Sequence, residues 1–248
     1  MMTNWNTFRF ELWLSGVYRS QMSAVVVFYA AFTFAEICAG TFARAGVKNR
    51  LVNLSYGIFV GVAGLFAVGL LRYLVSIPSR VEDPGDWRAV VLRVAGYLVM
   101  TDLLFYWYHR LQHGWSALWV VHELHHSDDA LNVTSSLRTY WVDRVIQTFL
   151  IAAPVELVVG RGPWSLVWFG MIAFAWLCFT HVDLPLSLGR CTLLLAGPQW
   201  HRIHHSVLAE HQGKNFAQFF PWLDLLFGTY YFPSPGEFPP TGLRPSFA

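Results

Sequence analysis

His109-Arg-Leu-Gln-His-Gly-Trp-Ser-Ala-Leu-Trp-Val-Val-His-Glu-Leu-His-His126 is the stretch on which the reading of this chain turns. It holds H-x-x-x-H (His109, His113) and H-x-x-H-H (His122, His125, His126), spacings that put neighbouring rings on one face of a helix. The chain has 10 histidines, and the rest follow as a lone His181, a second H-x-x-H-H (His201, His204, His205) and His211. Imidazole is the commonest transition-metal ligand at neutral pH. A zinc ion is filled by four ligands, or three when catalytic, so the clustered histidines exceed the needs of one metal and two metals are the economical reading.

Upstream, Asp102, Tyr106, His109 and His113 are spaced four, three and four, which places them within about 60° on one helix. Asp102 on that stripe is expected to receive the second ring N–H of a metal-bound histidine. His122, His125 and His126 share a second face. An unbroken helix from Asp102 would point that face away from His109 and His113, so a break is required, and Gly114 to Ser116 supplies it, with Ser116 as N-cap of a helix starting near Ala117. His211 lies in the polar run Ala-Glu-His-Gln-Gly-Lys-Asn, where a solvated loop is an equal reading.

The surroundings are those of a membrane protein. Of 248 residues 55% are hydrophobic and only 13% charged, against about a quarter charged in soluble domains. The net charge of +2, with no basic tract interleaved with aromatics, excludes nucleic acid as partner. Cys38, Cys178 and Cys191 are odd in number and far apart, indicating neither a disulfide framework nor a thiolate site. Residues 1–21 read as an interfacial segment, 22–40 as a first span with Glu36 near its end and able to reach the interface, 41–53 as a loop, and 54–77 as a second span. A third span over 89–108 delivers His109. Residues 143–160 and 163–180 form either two crossing helices or a re-entrant hairpin, and both return the chain to the same side. The expected fold is therefore all-α, an integral-membrane helical bundle of about four to five spans, or spans plus a re-entrant hairpin. Its parts are residues 1–88, a catalytic region 89–232, and an irregular proline-rich tail 233–248.

This parity puts the 41–53 loop, both H-x-x-H-H groups and the C-terminus together with Arg44, Lys48, Arg50, Arg110, Arg138, Arg190, Arg202 and Lys214. Arg9, Arg19, Arg80, Arg88 and Arg161 lie opposite, so the histidine side is cytoplasmic by the positive-inside rule.

Two rival chemistries can be read from the same residues. His122-Glu123-Leu-His-His126 matches the H-E-x-x-H of zinc metalloproteases, which leaves the other histidine groups unexplained, and the second triple has Arg202 where Glu123 stands in the first. A non-enzymatic metal or haem carrier would distribute histidines through the spans or face them in pairs at membrane depth.

The order H-x-x-x-H, H-x-x-H-H, H-x-x-H-H around spans resembles the fatty acid hydroxylase and sterol desaturase superfamily of integral-membrane di-iron oxygenases. Asp102-Leu-Leu-Phe-Tyr-Trp-Tyr-His-Arg-Leu-Gln-His113 is similar to its D-x-x-x-Y-x-x-H-R-x-x-H, and His181 through Pro185 to its H-x-(N/D)-x-x-P. Pro198-Gln-Trp-His-Arg-Ile-His-His-Ser206, Asn215-Phe-Ala217 and Leu223-Asp-Leu-Leu-Phe-Gly-Thr-Tyr230 are similar to its closing motifs, with Leu223 where many members carry Trp and Ala217 where Gly is common. The resemblance covers residues 95–232 and implies a helical membrane domain with a cytosolic helical cap holding a dinuclear metal site. It implies that His109, His113, His122, His125, His126, His181, His201, His204 and His205 ligate two irons, with His211 outside or marginal to that set. Zinc can replace iron on purification. It further implies O2-dependent hydroxylation or desaturation of a lipid C–H bond, with electrons from a separate ferredoxin- or cytochrome b5-like protein.

Overall fold

Long apolar runs with few charges leave the backbone no solvent partner, so the chain satisfies its own N–H and C=O groups in helices. The computed structural model describes residues 23–77, 82–83 and 85–243, and among these no strand occurs, only an isolated bridge between Ser206 and Thr241. The interfacial reading of residues 1–21 and the end of the tail lie outside the described residues. In chain order the helices are α1 (Ser23–Cys38), α2 (Phe42–Leu74), α3 (Trp87–Gly114), α4 (Ser116–His126), α5 (Trp141–Gln147), α6 (Ala153–Val159), α7 (Pro163–His181), α8 (Pro198–His204) and α9 (Trp222–Phe227). The chain is an integral membrane protein. Helices α2, α3 and α7 are each long and apolar enough to cross a bilayer.

The 41–53 segment is a correction, since it is helical and belongs to α2. The helical turn from Phe42 meets the long part of α2 at Gly46, whose φ of 67° breaks the helix there. As a result Asn49, Arg50 and Asn53 stand on a helix that packs against the turn Val133–Leu137 rather than in a solvated loop. Glu36 is corrected too. It does not reach an interface but is fully buried, with Arg50 at 2.7 Å, and it also accepts the backbone N–H groups of Val133 and Asp183. One carboxylate thus ties α1 to α2, to the turn after the first histidine triple and to the segment after His181.

Residues 141–159 form one rod in three pieces, α5, a π-helical turn Thr148–Ala152 and α6. Pro154 comes one residue after the wide turn ends; lacking an N–H, it cannot continue the α-helical ladder, and the π-turn absorbs the mismatch. Gly160 to Gly162 reverse the chain and Pro163 opens α7. At this end Tyr97 donates to the carbonyl of Gly160, and Glu82 accepts from Arg93 and from the N–H and hydroxyl of Ser165. The histidine-bearing ends of α3, α4, α7 and α8 gather at the opposite end.

Residues 233–243 form no helix, yet they are firmly attached. Gln199 donates to the carbonyls of Ser234 and Glu237, Arg202 to that of Pro239, and Gly242 N–H to that of His205.

Candidate metal centre

The break between the first two histidine groups falls where expected, but its cap does not. Helix α3 ends at Gly114 and α4 begins at Ser116; the extended residue between them is Trp115, and no side chain caps α4. The turn folds α4 back so that His122 Nε2 lies 3.0 Å from His109 Nε2.

The histidine nitrogens assemble into two groups, His109, His113, His122, His126 and His204, and His125, His181, His201 and His205. Within each, one nitrogen from every ring lies within 4.8 Å of the others. The groups do not follow the sequence motifs. On α4 the i,i+4 pair His122 and His126 faces the first group, while His125, about 60° from His122 around the helix, faces the second. On α8 the roles are exchanged: His201 and His205 face the second group and His204 crosses to the first. Each H-x-x-H-H therefore serves both groups, and the helices meet with His126 and His205 stacked at 4.4 Å.

Four rings are held by backbone carbonyls. Because a carbonyl only accepts, Nδ1 carries the proton in His109 (to Phe216, 2.8 Å), His125 (to Arg138, 3.3 Å), His181 (to Leu177, 2.8 Å) and His204 (to Lys214, 2.9 Å). Their Nε2 lone pairs are left for the centre. There, His122 Nε2 faces His109 Nε2 and also His126 Nε2 at 3.1 Å, and the second group repeats the pattern through His125, His181, His201 and His205 at 3.1–3.3 Å. His113 Nε2 and His204 Nε2 are buried with no hydrogen-bond partner among the described residues. Lone pairs converging tip to tip with orphaned nitrogens among them are the donor set of a transition metal, so the residues fit metal ions bound by neutral imidazoles.

Burial keeps these rings neutral. It pushes His125 and His204 down to about 4 and His122, His126, His201 and His205 well below the ordinary value of 6.5. The unfolded chain takes up protons near 6.5, whereas the folded one refuses them until about 4 at His125 and His204. Stability of the metal-free fold is then fully present above the unfolded value and lost as pH falls from 6.5 toward 4. Thermal unfolding of the chelator-stripped protein in detergent should show a midpoint that is flat above neutrality and falls through that window; a midpoint indifferent to acid would contradict the burial of neutral rings.

Asp102 requires a correction. It touches no histidine: one oxygen accepts Gln218 N–H at 2.7 Å, the other Phe219 N–H at 3.0 Å and Phe220 N–H at 2.7 Å. Asp224 holds the preceding residues, accepting the N–H groups of Phe216 and Ala217 and the Thr229 hydroxyl. The two carboxylates fix the segment whose Phe216 carbonyl orients His109, so Asp102 acts through the backbone. His211 is buried but belongs to neither group; its Nε2 meets Glu237 at 2.9 Å, fastening the tail. Sequence reasoning missed the support of His125. Asp128 receives Asn49 and Asn53 of α2, and Arg138, whose carbonyl holds His125, donates to both asparagines and to Ser127.

A cavity of about 390 Å³ opens on His122 and His125, one ring from each group, and runs between α3, the 141–159 rod and α7 along Phe105, Ile151, Val155 and Phe169. Neither group contains a carboxylate, which leaves Glu123 outside the centre and the protease reading without its base. Five nitrogens so close together also occupy the space a porphyrin ring would need.

Comparison with known proteins agrees with this geometry. The family model for fatty acid hydroxylase matches residues 94–229. The chain belongs to the fatty acid hydroxylase family. It is 27% identical over 195 residues to alkylglycerol monooxygenase from Homo sapiens, covering 74% of this chain and 41% of that protein. It is 30% identical over 235 residues to an ornithine lipid hydroxylase from Rhizobium tropici, covering 90% and 68%, and 28% identical over 164 residues to a methylsterol monooxygenase from Arabidopsis thaliana, covering 64% and 52%. The chain thus spans less than half the length of the human relative. No solved structure matches it.

Proposed function

We propose that this chain is a membrane-bound, O2-dependent oxidoreductase that hydroxylates a C–H bond of a lipid. The observation that carries the reading is two all-histidine groups, each able to hold a metal, opening together on one largely apolar cavity within a membrane bundle. His109, His113, His122, His126 and His204 would hold one iron and His125, His181, His201 and His205 the other. Bound iron would supply the reductive activation of O2 that attack on an unactivated C–H bond requires. The chain's own part is to fix the rings through backbone carbonyls, exclude water, and hold one carbon of the substrate beside His122 and His125. Desaturation is the neighbouring outcome, differing only in whether oxygen returns to the carbon or a second hydrogen leaves.

The names of the relatives support a lipid substrate, since each acts on an alkylglycerol, an ornithine lipid or a methylsterol. Electrons are assigned to a separate ferredoxin- or cytochrome b5-like donor. The surplus of cations at the histidine end supports a cytoplasmic site, although Arg50, Arg138 and Arg202 in that count are engaged in internal hydrogen bonds.

Lipid extracts of a host with and without the gene, compared by mass spectrometry, test the reading. A lipid gaining the mass of one oxygen, or losing two hydrogens, should appear with the wild type and vanish with His125→Ala; persistence in the variant would overturn the assignment of the site.

A further inference from the structure

The cavity wall carries a single Lys or Arg among the described residues, Arg144. It stands on α5, between the cap, where the Arg138 carbonyl holds His125, and the apolar stretch beginning at Ile151. Its stem lies against α2 at Gly64, where an added Cβ would come into ordinary van der Waals contact with Arg144 Cγ at 3.4 Å. The residue is exposed.

A guanidinium within a membrane bundle is costly and normally answered by an anion. Its electrostatic partner among the described residues is the neighbouring carboxylate of Asp143. Arg144 makes no side-chain hydrogen bond or ion pair among the described residues, and the oxygens of the two carboxylates on the same wall accept from other donors. Asp143 accepts from Tyr108, Gln112, Thr139 and Gln147. Glu156 is paired with Arg161 at 2.6 Å. The nearby phenol of Tyr29 is bonded to Ser136 at 2.7 Å. The cavity therefore presents a guanidinium whose five fixed donors have no hydrogen-bond partner among the described residues, beside a long apolar surface and within the same space as His122 and His125.

We propose that Arg144 is the site for an anionic group, a phosphate or a carboxylate, on the lipid that this cavity takes, so that the substrate class is an anionic amphiphile rather than a neutral lipid. The inference rests on reading the cavity as the lipid site. The arginine fork matches either anion through two parallel N–H donors, and the apolar wall takes the chain.

The test is equilibrium binding to the full chain in neutral detergent, following tryptophan fluorescence, with palmitate, hexadecyl phosphate and hexadecanol as probes. Wild type should bind at least one of the two anions on the order of tenfold more tightly than hexadecanol. Which anion wins separates a carboxylate from a phosphate lipid. Arg144→Gln should abolish the preference while leaving hexadecanol affinity unchanged, and Arg144→Lys should restore part of it. Equal affinity of wild type for all three probes, or a preference that survives Arg144→Gln, would overturn the proposal. Binding requires no turnover, so metal analysis of the same samples keeps the two readings apart: a protein without metal that still selects anions would sink the oxygenase and leave the anion site standing.

Discussion

Replacing His125 and His201 together by alanine should empty one metal site and leave the other filled, although the two residues come from different sequence motifs. Both face the four-histidine group, which would keep only His181 and His205, while all five rings of the other group remain. Replacing His125 and His204 should damage both sites, because His204 crosses to the five-histidine group. Loss of groups that merely orient a ligand costs about 10- to 100-fold in affinity or activity, so loss of direct ligands should lower turnover by more than about a hundredfold in either double variant. Elemental analysis distinguishes them: near one metal per chain for the first pair and less for the second. Equal metal loss in both would mean that the motifs, not the crossed groups, are the binding units.

Asp102→Ala is expected to have the next largest effect, on the integrity of the cap. Three N–H donors would lose their acceptor, that of Phe219 buried and those of Gln218 and Phe220 partly buried. Each unsatisfied group costs about 1–3 kcal/mol, so the loss should be about 3 kcal/mol or more and should release the segment that orients His109 through Phe216. Asp102→Asn keeps one oxygen acceptor and should fall between wild type and alanine. Thermal unfolding of the metal-loaded variants in detergent checks the order. If Asp102→Ala unfolded like wild type yet lost activity, a direct role at the metals would be favoured over the clamp.

Local geometry was legible in the sequence wherever residue spacing alone determines it. The i,i+4 pairs His109 and His113, His122 and His126, and His201 and His205 are fixed by helical periodicity, and the break at Gly114 to Ser116 followed from the requirement that the first two groups converge. The extended residue within the break, Trp115, carries no composition signal for that role. The crossing of His125 and His204 depends on how α4 and α8 face one another, which no spacing within either helix records. In the sequence Glu36 stands as an interfacial carboxylate and Arg50 as a loop cation, because their partnership exists only once α1 and α2 pack. Spacing points Asp102 at a histidine because side chains have identities in a sequence; its true partners are backbone N–H groups, which every residue but proline carries.

The central claim is that the nine histidines form two separate metal sites, each drawing on both H-x-x-H-H motifs. Metal content of the purified wild-type protein, with its absorption spectrum, tests it most directly. Two metal ions per chain and no haem absorption are predicted. A single tightly bound ion per chain, or a haem band, would contradict it.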